Sequence, residues 1–156
     1  MSSERGAGLL EVVIGAAIIA VVLLGTVAAF QAFVRSGLAT TAKLQASFLA
    51  EEGVEAMRSI RDRSWSEFAG LSGSTYHLVF SSEWDATTTT QTIDGVFART
   101  VAVGDVYRRV SDSDIVASTS LDAKSLDPNT KRVEVEVIWG ATSTVESVTY
   151  LTNLFE

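Results

Sequence analysis

The sequence predicts an α+β protein, with one long N-terminal helix laid by its C-terminal half against an antiparallel sheet of about four strands. Three observations carry this. Residues 12–34 contain no charged side chain, and residues 42–60 repeat apolar positions at spacings of three and four. Beyond Trp65 the composition changes to Thr, Ser, Val and Asp, with alternation and turn signals suited to strands. The chain has 156 residues, with 12 Lys+Arg against 19 Asp+Glu, a formal charge of −7, 1 His, 1 Pro and no Cys. That length allows one compact domain with an appendage. The acidic balance argues against a general nucleic-acid binder. Absence of Cys removes disulfides, thiolate zinc sites and thiol catalysis, and a single His removes any multi-His metal cluster.

The first element is the uncharged run VVIGAAIIAVVLLGTVAAFQAFV, preceded by Glu4, Arg5 and Glu11 and closed by Arg35. At about 1.5 Å per residue it spans roughly 34 Å, against a bilayer core of about 30 Å. A buried core helix is the plain alternative, but such helices rarely stay uncharged for so long. A cleaved secretory signal, with Val27-Ala28-Ala29 as its processing site, is the other. Against it stand an n-region whose one basic residue is offset by Glu4, and an apolar stretch longer than the usual h-region of about 7–15 residues. Glu11 lies at the lip of the run. A carboxylate within hydrocarbon is costly unless neutralised or paired, which makes Glu11 a functional candidate, whereas a position in the headgroup layer would need no special role. Small residues follow it. Ala16-xxx-Ala20 and Gly25-xxx-Ala29 fit the small-xxx-small spacing that lets helices approach closely.

Next comes an amphipathic stretch. Ala42, Ala46, Leu49, Gly53, Met57 and Ile60 mark one apolar face, and Glu55 precedes Arg58 at a spacing that permits an ion pair. Downstream, Tyr76–Ser81 is a candidate strand, and Asp94-Gly95 is a strong hairpin signal between residues 87–93, which alternate poorly, and 96–110. Gly104-Asp105 suggests a bulge or break. Residues 112–131 lack periodicity and read as a loop closed by Asp127-Pro128-Asn129. Arg132–Trp139 alternates, placing Val133, Val135, Val137 and Trp139 toward the helix, and residues 144–151 return after a turn at 140–143.

No catalytic arrangement emerges. His77 stands in a strand with no spaced Ser or Asp and reads as structural. Gly70-Leu71-Ser72-Gly73 is one residue short of a nucleophile elbow and follows no strand. Asp112, Asp114, Asp122 and Asp127 could supply oxygen ligands to calcium, but the full loop spacing is absent, so a solvated acidic loop is the better reading. Trp65, Trp84 and Trp139 read as core or interface anchors. Neither metal nor cofactor is expected, and the chain is not read as an enzyme.

The stretch Arg5-Gly6-Ala7-Gly8-Leu9-Leu10-Glu11 resembles the prepilin cleavage motif of type IV pilins and type II secretion pseudopilins. Ala7 stands where that family usually has Phe or Met, Gly8 where it has Thr or Ser, and the family's helix-kinking prolines are missing. LAEEGVEAMRSIRDRSW also resembles the helix end of some prepilin-like proteins, so the likeness covers about the first 65 residues. The resemblance implies a leader over residues 1–6, cut by a prepilin peptidase between Gly6 and Ala7, and N-methylation of Ala7. It implies a membrane-spanning or filament-core helix over 7–34, its amphipathic continuation over 35–64 and a β-rich head over 65–156. Glu11 becomes the subunit-assembly glutamate, pairing with the exposed terminal amine of a neighbour, and Ala16, Ala20, Gly25 and Ala29 become helix-packing residues. The implied partners are the peptidase, other pilin subunits, an assembly platform and the membrane crossed once before assembly. The head would lie outside the cytoplasm and offer a surface for adhesion, DNA capture or secretion. A membrane-anchored binding module that does not polymerise is the competing reading.

Overall fold

The computed structural model describes the backbone of residues 3–154 and the side chains of residues 8–154. Helix α1 (Ser3–Arg63) is followed by α2 (Trp65–Gly70), β1 (Thr75–Phe80), β2 (Trp84–Thr87), β3 (Phe97–Arg109), β4 (Ile115–Val116), β5 (Lys124–Trp139) and β6 (Ser143–Thr152). The chain divides into two compact units, Met1–Ala42 and Lys43–Glu156. The first is helix throughout its described residues.

In the second unit, the remainder of α1 packs on one face of the sheet. Ala46, Ala50, Val54, Ala56, Met57 and Ile60 are buried, in agreement with the apolar face read from spacing. Gly53 belongs to that face for a steric reason. A Cβ built there would lie 2.7 Å from Val135 Cγ1 and 3.1 Å from Arg99 Cδ, so the missing side chain lets helix backbone meet sheet directly. Opposite it, Phe97, Val101 and Val103 of β3 and Val133, Val135 and Val137 of β5 are buried at alternate positions. Leu151 of β6 joins them, and Trp139, half-buried, tilts against Phe97 at 6.2 Å. Helix α1 stops at Arg63 because Ser64 turns to extended backbone and caps α2, accepting from the Glu67 N–H at 3.3 Å.

All strands pair antiparallel, in the order β2-β1-β3-β5-β6, with β4 on β3. The sheet therefore has six strands where the sequence suggested about four. The two extra are short: Trp84-Asp85-Ala86-Thr87 has no alternation to reveal it, and β4 is two residues long. Helix α2 is also an addition, in a region read as strands and turns. Asp94 and Gly95 turn the chain at positive φ (52° and 66°), but the expected hairpin is reduced to an isolated Ile93–Phe97 bridge, because residues 88–93 form no strand to pair with β3.

The largest departure concerns residues 112–131. Instead of forming one loop to Lys131, the chain enters β5 at Lys124 and passes through Asp127-Pro128-Asn129. Asp105 pairs with Lys131, whereas the next residue, Val106, pairs with Asp127. Pro128, Asn129 and Thr130 are thus extruded as a bulge opposite the Asp105–Val106 step, the break expected at Gly104-Asp105. A bulge is where a strand tolerates a residue that has no N–H to donate.

Asp105 also receives Lys131 Nζ at 2.5 Å, and this hydrogen bond holds its carboxyl below the ordinary value. Burial raises the Asp127 carboxyl, but hydrogen bonds from Arg108, Thr130 and the Asn129 backbone outweigh it. Both carboxylates bind protons more weakly folded than unfolded, so their contribution is complete above the ordinary Asp value of 3.8 and is lost as pH falls below it. Urea midpoints for the Lys43–Glu156 unit, followed by tryptophan fluorescence in the full chain, should be flat from about pH 7 to pH 5 and drop between about pH 4 and pH 2.

Candidate functional site in the N-terminal helix

The charge-free run forms part of α1 in the first unit, where four successive residues define its environment. Val21, Val22, Leu23 and Leu24 cover every side of one helical turn, and each is at least 60% exposed. The apolar stretch has a mean hydropathy of 2.8 over 18 residues, and within its own unit none of those residues is buried. The core helix of a soluble domain is, by contrast, mostly buried. A helix apolar on all faces needs a lipid or protein environment, because each Val, Leu or Ile gains about 1.5–3 kcal/mol on full burial. By length and composition α1 can cross a membrane once.

Threonine hydroxyls in and just beyond the run are satisfied by the helix itself. Thr26 donates its hydroxyl to Val22 O at 2.9 Å, and Thr40 and Thr41 do the same to Ser36 O and Gly37 O at 2.9 and 3.1 Å. Such back-bonding lets a hydroxyl enter hydrocarbon without an orphaned donor. Arg35 reaches back to Gln31 Oε1 at 3.3 Å, which places the first cation at the far end of the run.

Glu11 is exposed, and no ion pair joins it to another described side chain. The α-helical backbone continues N-terminally past it to Ser3, through Gly6 and Ala7. The side chains of Ser3, Glu4, Arg5 and Ala7, and the whole of Met1 and Ser2 in the expected leader, lie outside the described residues.

The helix separates the four small packing residues into two places. Ala16 and Gly25 are about two and a half turns apart, so Ala16-xxx-Ala20 and Gly25-xxx-Ala29 occupy opposite sides. Glu11 stands about four turns before Gly25 and five before Ala29, on the same side as that second pair. Ala16 and Ala20 are exposed, and no atom outside the local helix comes within 4 Å of a Cβ built at Gly25. Both sides are open to a neighbouring helix, so one helix can be flanked by two others at once.

In the Lys43–Glu156 unit the sequence candidates resolve into structure. His77 Nδ1 lies 3.0 Å from the Arg99 carbonyl. Ser72 donates to Asp105 Oδ1 at 3.2 Å. Arg109 sits among Asp112, Asp114 and Asp122, with Asp122 at 2.9 Å and Asp112 at 2.6 Å, so a guanidinium holds the centre of the acidic loop. Arg109 keeps the Asp122 carboxyl below the ordinary value, and the Asp114 backbone N–H followed by Arg109 does the same for Asp112. Asp127 is drawn off to Arg108 at 2.6 Å. Among the described residues no cluster of His, Cys, Asp and Glu suits a metal ion.

One residue escaped the sequence reading. Arg99 is only 4% exposed and sits on the inner face of β3, with Nη1 3.1 Å from Leu49 O and 2.7 Å from Glu52 Oε2. Its guanidinium lies 5.3 Å from the centre of the Trp84 ring. A basic residue on the Phe97-x-Arg99-x-Val101-x-Val103 side of an alternating strand was the available signal. Arg99 ties helix to sheet beside Gly53.

No protein-family profile matches the chain, and neither the curated proteins nor the solved structures contain a match.

Proposed function

We propose that the chain is a structural subunit of a type IV pilus or pseudopilus. It would be made as a prepilin, anchored once in the cytoplasmic membrane with its head outside the cytoplasm, and cut by a prepilin peptidase between Gly6 and Ala7. After methylation of Ala7, an assembly platform would draw the subunit out of the bilayer into a filament. The observation that carries this reading is an exposed apolar helical run whose one acid between Ala7 and Arg35, Glu11, stands a single turn beyond a Gly6–Ala7 junction. In such a filament Glu11 accepts the α-ammonium of Ala7 from the adjoining subunit, and each charge neutralises the other inside an apolar bundle. The two open small-residue sides of the helix support the same reading, since a helical filament surrounds each core helix with several neighbours.

The test is the intact mass of the protein recovered from membranes and sheared surface fractions of its native cells. The expected mass lacks Met1–Gly6, with or without one methyl group, and Gly6→Leu should abolish the cut. Cleavage near Ala29 would indicate a secretory signal instead, and an uncut chain would indicate a membrane-anchored module that does not polymerise.

A further inference from the structure

The sheet has two edges, and they are protected differently. At one, β2 is only four residues long, and Arg63 reaches over it. That arginine donates to the Trp84 carbonyl at 3.0 Å and pairs with Asp85 at 2.7 Å and Glu83 at 3.0 Å. Shortness and a guarding charge are the ordinary ways of blunting an edge. At the other, β6 runs for ten residues with no Pro or Lys, and Glu146 is its one charged residue.

The free hydrogen-bonding groups of β6 can be assigned. Asn153 N donates to Asn129 O at 2.9 Å, and the pairing of β5 with β6 continues from there without a shift. By antiparallel alternation, the odd-numbered residues of β6 exchange hydrogen bonds with β5. The N–H and C=O groups of Thr144, Glu146, Val148, Tyr150 and Thr152 therefore point into the open edge.

Both flanks of that edge are acidic. On the helix side, a groove of about 400 Å³ has Phe48, Val54 and Ser147 in its lining, together with three acids, Glu51, Glu52 and Glu55, and one base, Arg58. Glu52 pairs with Arg99 and Glu55 with Arg58, while among the described residues Glu51 has no ion-pair partner. On the opposite flank, Glu136 and Glu146 are register partners across β5 and β6, two like charges directly facing. Arg132 pairs with Glu134 and stands 4.0 Å from Glu146, and Glu136 takes only the Thr144 hydroxyl at 3.1 Å.

We propose that the β6 edge is a docking site for an extended, basic segment of a partner protein, added to the sheet as a further strand. Main-chain hydrogen bonds to the even-numbered residues of β6 would hold it. Its side chains would alternate between the two flanks. Lys or Arg stems on one face would lie along Phe48 with their charges among Glu51, Glu52 and Glu55. On the other face they would relieve the Glu136–Glu146 repulsion. A second copy of this chain does not fit, because pairing β6 with β6 would bring acidic flanks together. The inference concerns the Lys43–Glu156 unit and stands apart from the filament reading.

The test uses the full chain in uncharged detergent micelles and a fluorescent ten-residue peptide repeating Lys-Lys-Thr-Thr, which presents Lys on both faces of an extended strand, read by polarisation against micelles alone. Saturable binding is expected, weakening with salt. Methylating the peptide amides that face β6 should reduce affinity about tenfold or more, as should Val148→Pro, which removes an edge-facing N–H and leaves the β5 ladder intact. Glu136→Gln combined with Glu146→Gln should have a similar effect and flatten the salt dependence. A single cooperative thermal transition, shifted upward if at all by the double Gln variant, certifies each variant as folded. Absence of binding, equal binding of the methylated peptide, indifference to Val148→Pro in a folded variant, or self-association in place of peptide binding would each overturn the proposal.

Discussion

Glu11→Ala is expected to insert into the membrane normally and to be missing from sheared filaments. The two outcomes separate because the carboxylate plays opposite parts in them. For insertion it is a burden, since a charge at the centre of a bilayer costs about 2.5–3.5 kcal/mol on insertion scales and less near the interface. Removing it leaves the charge-free run intact. For assembly it is the partner of a terminal ammonium. At about 4 Å and an effective dielectric constant near 20 the attraction is about 4 kcal/mol, and the variant leaves that ammonium buried and alone. Loss of about 3 kcal/mol per contact lowers incorporation roughly a hundredfold, and the same contact recurs at every subunit. Glu11→Gln, which keeps the shape and loses the charge, should fail in the same way. Immunoblots of membrane and sheared fractions measure both quantities. Glu11→Ala incorporated at ordinary levels would remove the pairing from the account.

Gly53→Leu is expected to unfold the Lys43–Glu156 unit or lower its melting temperature sharply. Every additional atom at position 53 meets Val135 or Arg99, both held in place: Val135 is fully buried in β5, and Arg99 is tied to Leu49 O and Glu52. Overpacking of a tight core costs about 1–3 kcal/mol, and displacing Arg99 would also strip a buried guanidinium of its bonds to Leu49 O and the half-exposed Glu52. In a domain of this size each kcal/mol shifts the midpoint by roughly 4 °C. Gly53→Ala gains about 1 kcal/mol of helix propensity but puts a Cβ 2.7 Å from a valine methyl that has nowhere to go, so it too should destabilise. Gly37→Ala, where no atom outside the local helix lies within 4 Å of the new Cβ, is the matched control and should not destabilise. Far-ultraviolet circular dichroism of the full chain during heating reads all three.

How far these features could be foreseen depends on whether a signal is periodic. The apolar run, the Ala46–Met57–Ile60 face and the Val133–Val135–Val137 alternation each repeat with the period of their element, and the structure realises all of them. Pro128 misled because proline normally ends a strand, whereas a bulge specified by a distant register shift at Asp105–Val106 accommodates it. Strands β2 and β4 are too short to show a period, and the Arg63 contacts that position β2 are long-range. Arg99 was hidden for a related reason. A basic side chain in a strand normally faces water, and only the approach of the helix at Gly53, with the Leu49 carbonyl and Glu52 beside it, makes its burial tolerable. At the N-terminal helix, order along the chain located Glu11 and the small residues, while the division of Ala16-Ala20 and Gly25-Ala29 between opposite sides emerges only once the helix is laid out in three dimensions.

Zero-length carbodiimide coupling of native filaments, followed by tryptic peptide mapping, tests the pairing most directly. The chain offers a convenient reporter, because trypsin has no site between Ala7 and Arg35. The account expects a covalent dimer of that peptide, with the Glu11 carboxyl of one subunit joined to the Ala7 amine of the next. Intact filaments in which Glu11 couples to no neighbouring terminus, or whose subunits still begin at Met1, would contradict it.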